Sequence, residues 1–293
     1  MKNSNDHNPQ VLNLPDYSGF FGYLGHAYKP YVSEFYEGED KAIFKYHYSS
    51  LTHAKRFYSI LKYFNLYFPD QGSKVVDIGG YPGTMLKLLG KYSNRQLTLY
   101  QCGLFSDPSF LSEMELYGIA TLAPVDIDPP PYYQKELEEK HNFTVKLADD
   151  AVDFVIATEI IEHLVYPLHF LAEARRILKP GGRILITTPN VAKSSAWIRT
   201  LLGKSNLDPL KQTQVYMHGN WRGHVRLYSR EELVSLLLGN KFRILEAKAV
   251  NNGEHWKTNV SLLRKIDFAI RSVIEFVLPW TKPGLLIVAE KTL

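Results

Sequence analysis

The sequence predicts an α/β fold in which helices cover both faces of a mostly parallel sheet. Short apolar runs alternate with helical segments from Gln71 onward, and this alternation is typical of consecutive strand–helix–strand units. One apolar run ends in an acid and a glycine-rich turn, at residues 75–83. Ligands of such sheets bind at the carboxyl ends of the strands, so we expect the functional residues there.

Composition narrows the class of protein. The chain has 293 residues, 45% of them hydrophobic, which is enough for a sizeable core. The net charge of +4 comes from scattered residues with no long basic tract, which disfavours a nucleic-acid partner. The single cysteine, Cys102, excludes an intramolecular disulfide. No apolar run approaches the roughly 18 residues of a spanning helix, and the first ten residues lack an apolar core, so we expect a cytoplasmic protein.

Residues 1–70 are strongly aromatic and are expected to form a helical or irregular cap region, with residues 71–293 as the main domain. Apolar residues repeat at helical spacing in its second half, at Phe57, Ile60, Leu61 and Phe64. Two interpretations stay open. The aromatic side chains either cover the end of the sheet or form a lid that excludes water from an active site.

The predicted elements follow in order from residue 73. The first three are strand SKVVDIG, helix GTMLKLLGKY and strand QLTLYQCG. Next comes helix DPSFLSEMELYG, with Asp107 as its N-cap. It leads to strand IATLAPVDI, which Asp126 closes. After a long loop come strand AVDFVIAT, helix YPLHFLAEARRIL, the turn KPGG and strand RILITTP. The order predicts a parallel sheet with helices on both faces.

The turn GGYPG holds glycines at positions 79, 80 and 83. These allow a tight backbone and let a ligand approach the main chain, while the first amides of the following helix can face an anionic group. The spacing departs from the dinucleotide fingerprint G-x-G-x-x-G, because Tyr81 and Pro82 stand around the expected second glycine. A nicotinamide cofactor is therefore disfavoured.

Four segments together resemble the class I S-adenosylmethionine-dependent methyltransferases. They are VVDIGGYPG, AVDFVIATEIIEHL, EARRILKPGGRILITTPN and GHVRLYSREELVSLLLGNKFRILEAKAV, and they cover about residues 73–250. The resemblance implies a Rossmann-like, doubly wound, mostly parallel seven-stranded sheet with an aromatic N-terminal extension. It also implies S-adenosylmethionine as the cofactor.

Site residues follow from this resemblance position by position. Asp77 and the glycines 79, 80 and 83 would hold the methionine end of the cofactor. Gln101 stands where the family has an acid that bonds the ribose hydroxyls, and an amide lacks that charge. Asp126 matches the position that contacts adenine, and the prolines at 129–131 either shape that pocket or stiffen the loop. Glu159 would lie beside the methyl group.

The stretch ATEIIEHLVYP places Glu159, Glu162 and His163 at i, i+3 and i+4, which predicts one shared helical face. His163 is the predicted proton acceptor for a hydroxyl substrate, and His224 is its predicted partner. A divalent ion held by these four side chains is the alternative. That arrangement resembles the small-RNA 3′-end 2′-O-methyltransferases. An ordinary helix start is the third interpretation, and we assign no metal.

Two later segments carry further candidates. The first is a cluster of polar and aromatic residues around His224, consisting of His218, Trp221, Arg222 and Arg226. The second is a C-terminal helix with one apolar face, formed by Leu263, Ile266, Ile270, Val273 and Val277. The face either packs on the sheet before the last strand, GLLIVAEK, or lies on a membrane with Trp280 at its end, which would suit a lipid-linked acceptor.

The sequence therefore predicts a methyltransferase acting on a small molecule or on a glycan or lipid intermediate, at oxygen. RNA 2′-O-methylation with a divalent metal is the enzymatic alternative. A degenerate fold that binds a partner is the non-catalytic alternative, based on the departures at Tyr81 and Gln101. Peripheral membrane contact stays open, and the sequence predicts no oligomeric state.

Overall fold

A computed structural model describes most of the chain. The described residues are 11–27, 31–36, 42–48, 50–69, 72–104, 108–128, 142–206, 223–251 and 262–292. The predictions made for some residues lie outside these ranges, namely Asp107, the prolines at 129–131, His218, Trp221 and Arg222.

The helices and strands from residue 74 to residue 189 follow the predicted order. The helices are α1 (Tyr17–Ala27), α2 (Ala54–Tyr67), α3 (Thr84–Tyr92), α4 (Pro108–Leu116), α5 (Pro167–Ile177), α6 (Ser194–Leu201), α7 (Arg230–Gly239) and α8 (Leu262–Val277). The strands are β1 (Tyr31–Tyr36), β2 (Ala42–Tyr48), β3 (Lys74–Ile78), β4 (Thr98–Cys102), β5 (Ile119–Thr121), β6 (Val152–Thr158), β7 (Leu178–Pro189), β8 (Phe242–Val250) and β9 (Gly284–Lys291).

Seven strands form one sheet in the spatial order β5-β4-β3-β6-β7-β9-β8. The strands from β3 to β7 are parallel, and β9 runs antiparallel to both of its neighbours. The chain runs outward from β3 to β5 and then returns to β6 on the other side of β3, so the strand order reverses at β3. Ligands bind at such a switch point. The predicted Rossmann-like, mostly parallel seven-stranded sheet is confirmed.

Both faces of the sheet are buried against helices. Successive strand residues alternate between two cores, with Val75 and Phe154 in one and Val76 and Val155 in the other. Side chains of α1 to α4 pack in the first core, and those of α5 and α7 pack in the second. Burial on both faces explains why a strand such as VDFVIAT is almost uninterrupted in its apolar character.

The aromatic N-terminal region packs against this sheet through α2. Phe64 is fully buried, and its ring centroid lies 4.6 Å from that of Phe68 and 4.9 Å from that of Phe154. The region also contains an antiparallel hairpin of β1 and β2, which the prediction of a helical or irregular segment missed. The pattern YVSEFY-EGEDK-AIFKYHY, two aromatic runs around a charged spacer, is a hairpin signal. The division of the chain at residue 70 stays a prediction.

Two predicted boundaries are wrong. β5 ends at Thr121, so Asp126 does not close a strand and lies in the loop beyond it. Pro124 interrupts this segment, and proline cannot donate to a strand ladder. The predicted turn KPGG lies inside β7, where the pairing with β6 shifts register between Val152 and Phe154. It is a local irregularity of the strand.

The C-terminal helix α8 does not bury its apolar face in the sheet. Ile266, Ile270, Val273 and Val277 are between 48% and 64% exposed, so the predicted packing of this face on the sheet is wrong. No helix in the described ranges has both the length and the apolar character needed to cross a bilayer.

Candidate active site

Asp77 lies at the end of β3, where the strand enters the glycine turn. It is fully buried, and in the described part of the chain neither carboxylate oxygen has a hydrogen-bond partner. Burial raises the pKa of Asp77 to about 7, because a charged carboxylate loses its hydration inside a protein. A buried acceptor without a donor is costly, and a ligand with a donor would relieve that cost.

The glycine turn brings the main chain close to Asp77. Gly79 and Gly83 both have φ of 78°, a region that favours glycine. A Cβ on Gly79 would collide with the Ile160 side chain, and a Cβ on Gly80 would collide with the Asp77 carboxylate. Glycine at these positions therefore keeps the space above the strand ends free of side chains.

Gln101 is paired with Asp77 in the register of β3 and β4. It is 3% exposed, and within the described ranges its Oε1 has no hydrogen-bond partner. Its Nε2 lies 3.5 Å from the carbonyl oxygen of Cys102, which is at the limit of a hydrogen bond. Gln101 therefore offers a buried acceptor next to Asp77, without the charge of the family's acid.

Asp126 and Asp128 lie in the loop after β5 and make different contacts. Asp126 is half-buried in the loop after β5, and its Oδ1 accepts a hydrogen bond from the Asp128 amide at 3.1 Å. Asp128 accepts the amides of Val165 and Tyr166 at 3.0 and 2.6 Å, just before α5 begins at Pro167. Asp128 thus fixes the start of α5, while a contact between Asp126 and adenine stays a prediction.

We expect Asp128→Ala to destabilise the protein by about 1–3 kcal/mol, because the amides of Val165 and Tyr166 lose their hydrogen bonds to a buried carboxylate. Urea unfolding measures the loss, and Asp128→Asn, which keeps one acceptor oxygen, should lose less. An unchanged stability together with weaker cofactor binding would contradict this role and make Asp128 a direct ligand.

Glu159, Glu162 and His163 do not share a helical face, so that prediction is wrong. Glu159 has φ of 53° and Ile160 has φ of −124°, and a single 3-10 turn at Ile161–His163 precedes α5. The helix begins only at Pro167, a residue favoured in the first helical turn. The three side chains therefore extend from an irregular turn that precedes the helix.

Glu159 is held by two neighbouring elements. Its Oε1 accepts a hydrogen bond from Thr187 Oγ1 at 3.0 Å, and its Oε2 lies 3.0 Å from a guanidinium nitrogen of Arg56 on α2. The Arg56 and Glu159 side chains are 11% and 18% exposed. The sequence analysis missed Arg56, although it is a cation on a helix whose apolar face was predicted. The aromatic N-terminal region is thus joined directly to the site.

Glu162 is fully buried beneath this turn. Its Oε2 accepts a hydrogen bond from Thr188 Oγ1 at 2.8 Å, while among the described residues its Oε1 has no hydrogen-bond partner. Burial raises the pKa of Glu162 well above its usual range, and the Glu159 carboxylate raises it further. The Glu162 carbonyl accepts the amides of Val225 and Arg226 at 2.8 and 3.2 Å, which fixes the segment that carries His224.

This contact brings His224 to His163. The centroids of their rings lie 4.9 Å apart, and Nε2 of His163 lies 3.9 Å from Oε1 of Glu162. One potential ligand atom from each of Glu162, His163 and His224 lies within 4.8 Å of the others. Glu159 is not in this group, because Arg56 and Thr187 hold its carboxylate. The geometry gives three candidate ligands where four were considered.

Comparison with known proteins places the chain in a family. A family model described as a methyltransferase domain matches residues 52–247. The chain belongs to this methyltransferase-domain family. The family implies S-adenosylmethionine as the cofactor of this domain. The match begins before the glycine turn and includes α2, which carries Arg56.

Relatives of this methyltransferase match over short segments or at low identity. It is 46% identical over 44 residues to a probable S-adenosylmethionine-dependent methyltransferase of Mycolicibacterium smegmatis, and 37% identical over 60 residues to a protein of transposon TN4556 of Streptomyces fradiae. Each match spans 15–20% of this chain and 17% of the relative. The solved structure of the 4+2 cyclase SpnF is 14% identical, with a TM-score of 0.51 over 94% of this chain and 92% of that one. This likeness concerns the fold alone.

The residues at the strand ends fit this cofactor. Asp77 and Gln101 are buried and carry acceptor oxygens that lack partners within the described ranges, and the cofactor's methionine amine and ribose hydroxyls are donors. The glycines leave room where any Cβ would intrude. The roles of Asp77, Gln101, Asp126 and Glu159 as contacts stay predictions.

Proposed function

We propose that this methyltransferase acts on an oxygen of a small molecule or of a glycan or lipid intermediate. The observation that carries the cofactor site is the Asp77 carboxylate, which is fully buried beside the glycine turn and lacks a donor among the described residues. Oxygen is proposed as the acceptor atom because His163 and His224 lie together beyond the same strand ends, and a hydroxyl acceptor must lose a proton.

When bound, S-adenosylmethionine supplies an electrophilic methyl group on its sulfonium. Asp77 accepts hydrogen bonds from the methionine amine, and Gln101 contacts the ribose hydroxyls. Glu159 stays fixed by Arg56 and Thr187, so its backbone turn positions His163 relative to the strand ends. His163 accepts the proton of the acceptor hydroxyl as the oxygen attacks, and His224 orients the ring of His163.

A second candidate is methyl transfer assisted by a divalent ion. The group formed by Glu162, His163 and His224 favours it, since imidazole and carboxylate are ligands for Mn²⁺, Fe²⁺ and Zn²⁺. Glu162, His163 and His224 would then hold the ion, which would supply a Lewis acid for the acceptor. RNA with a free 3′-terminal ribose is then the acceptor to examine first.

The first experiment is a calorimetric titration of the purified protein with S-adenosylmethionine and with S-adenosylhomocysteine. We expect saturable binding of both, since the predicted contacts reach parts of the molecule that both share. Absence of binding to either would overturn the proposal and favour a degenerate fold that binds a partner.

The titration is then repeated after metal removal, together with an acceptor screen of hydroxylated small molecules, sugars and RNA ends. Turnover that is lost with chelator and restored by Mn²⁺ would favour the second candidate. Unchanged turnover after verified metal removal would reject an essential ion, while the cofactor site would stand.

A further inference from the structure

The outer surface of α8 is apolar although α8 lies on the surface of the protein. Among its residues from 265 onward, five large apolar side chains are between 48% and 85% exposed, namely Ile266, Ile270, Val273, Phe276 and Val277. They lie on one side of the helix because they are spaced by three, four or seven residues. An exposed apolar patch of this kind indicates an interaction surface.

The opposite side of α8 faces the protein and carries both charged and apolar side chains. Asp267 and Arg271 form an ion pair on that side, and Glu275 accepts a hydrogen bond at 2.8 Å from Ser194, a buried residue at the start of α6. The inward set also includes Phe268 and Ile274, so it is mixed in character. The orientation of α8 is thus the reverse of that of a core helix, and the hydrogen bond to α6 fixes it.

Helix α6 and the loop before β9 extend the patch. Trp197 and Leu201, four residues apart on α6, are 40% and 86% exposed, and Leu202 is 64% exposed. Trp280, which follows α8, is 54% exposed. Together with the five residues of α8 these form the apolar surface discussed below. Two exposed tryptophans beside a row of aliphatic side chains are typical of the boundary between water and a bilayer.

The net positive charge of the segments that carry α6 and α8 indicates what binds the apolar surface. Residues 190–206 and 262–283 contain seven basic and two acidic residues. Lys265 is exposed on the rim of the outer side of α8, and Arg199 and Lys204 are exposed on and after α6. Basic residues around an apolar face attract anionic lipid headgroups. A second copy of the chain would bring two positively charged surfaces together, so a membrane fits better.

We propose that the apolar surface of α6, α8 and Trp280 binds the surface of a bilayer that contains anionic phospholipids. The apolar side chains enter the boundary between headgroups and acyl chains, while the basic residues contact the phosphates. α8 has 16 residues and is therefore about 24 Å long, so it lies parallel to the bilayer plane and does not cross it.

The apolar surface adjoins the edge of the sheet that holds the candidate active site. Asn190 directly follows β7, and its side-chain amide donates to the carbonyl oxygens of Trp280 and Lys282 at 2.8 Å each. Thr187 and Thr188, which contact Glu159 and Glu162, end the same strand. On the proposed function, a bound bilayer would present a lipid or lipid-linked hydroxyl near this edge. Bilayer binding itself does not depend on methyl transfer.

The test is flotation of the full chain with vesicles of phosphatidylcholine, with and without phosphatidylglycerol. We expect binding to the anionic vesicles that weakens with salt. Phe276→Asp combined with Ile270→Asp should lower the partition coefficient about tenfold or more. Leu116→Asp on α4 is the matched control, because Leu116 is 85% exposed, as Phe276 is, and lies outside the apolar surface.

A second measurement uses the wild-type protein and two conservative variants, and does not need the α8 variant to fold. Brominated lipids should quench the fluorescence of the wild-type protein, and Trp197→Phe and Trp280→Phe should each reduce the quenching. Failure to bind either vesicle type, or equal binding of the α8 variant, would overturn the proposal. A dimer that the α8 variant dissociates, without vesicle binding, would assign the surface to a second copy instead. Cofactor titration of the same variants tests the proposed function separately.

Discussion

Asp77→Asn should weaken S-adenosylmethionine binding about tenfold to hundredfold and should at the same time stabilise the cofactor-free protein at neutral pH. The loss of affinity follows from the loss of a charge-assisted hydrogen bond to the cofactor's amine. The gain in stability follows because the folded protein no longer has to ionise a fully buried carboxylate that lacks a donor in the described part of the chain.

The pH dependence of stability has a definite sign. The pKa of Asp77 in the folded protein is about 7, against an ordinary value of 3.8, so between these pH values the folded state binds more protons than the unfolded state. The free energy of unfolding of the cofactor-free protein therefore falls as pH rises from about 4 to about 7, by about 4 kcal/mol for this group. Glu162, whose pKa is also raised, adds a contribution of the same sign.

Urea unfolding between pH 5 and pH 8 measures this slope in the wild type and in Asp77→Asn. The variant should lose the part due to Asp77, and Asp149→Asn, at a side chain that is 74% exposed, should keep the wild-type slope. An equal slope in Asp77→Asn and in the wild type would contradict the conclusion that burial raises the pKa of Asp77.

The affinity for the cofactor should also depend on pH, because Asp77 must lose its proton when the cofactor binds. A cationic amine beside Asp77 lowers its pKa, so affinity should weaken as pH falls below about 7, approaching tenfold for each pH unit. At pH 6 binding should release a proton, and calorimetry in two buffers of different ionisation enthalpy would detect it. Proton uptake or no exchange would place the amine away from Asp77.

The sequence predicted the parts of the molecule that periodicity and local chemistry determine. The apolar strands, the glycine turn and the buried face of α2 at Phe57 and Phe64 depend on residues close in sequence. The turn at Glu159 could not be predicted in this way. Its positive φ depends on Thr187 and Arg56, which lie far away in sequence on β7 and α2. Periodicity alone therefore suggested a helix that the tertiary contacts replace.

The orientation of α8 shows the same limit more sharply. The sequence identified its apolar face correctly, but whether that face turns inward depends on what its polar face contacts. Glu275 bonds Ser194 and thereby turns the polar side toward the protein. An amphipathic helix is generally expected to bury its apolar face. The outward orientation of this face in α8 therefore became evident only from a tertiary contact. The N-terminal hairpin differs, because its alternating aromatic pattern was available in the sequence.

His163→Ala should lower kcat about a hundredfold to ten-thousandfold, the usual contribution of a proton acceptor, while leaving the affinity for S-adenosylmethionine nearly unchanged. The imidazole lies beyond the strand ends, 4.9 Å from the ring of His224, and none of the predicted cofactor contacts uses it. Transfer of a radiolabelled methyl group to the acceptor found by screening measures turnover, and calorimetry measures affinity.

His169→Ala separates this role from a general effect of losing a histidine. Nε2 of His169 lies 2.8 Å from the carbonyl oxygen of Phe143, and His169 is not part of the group formed by Glu162, His163 and His224, so its loss should lower stability and leave kcat within about twofold. If His224 only orients His163, His224→Ala should lower kcat less than His163→Ala, and the double variant should resemble His163→Ala alone. Additive losses would instead mean that both rings contact the acceptor, and full activity of His163→Ala would remove this residue from the mechanism.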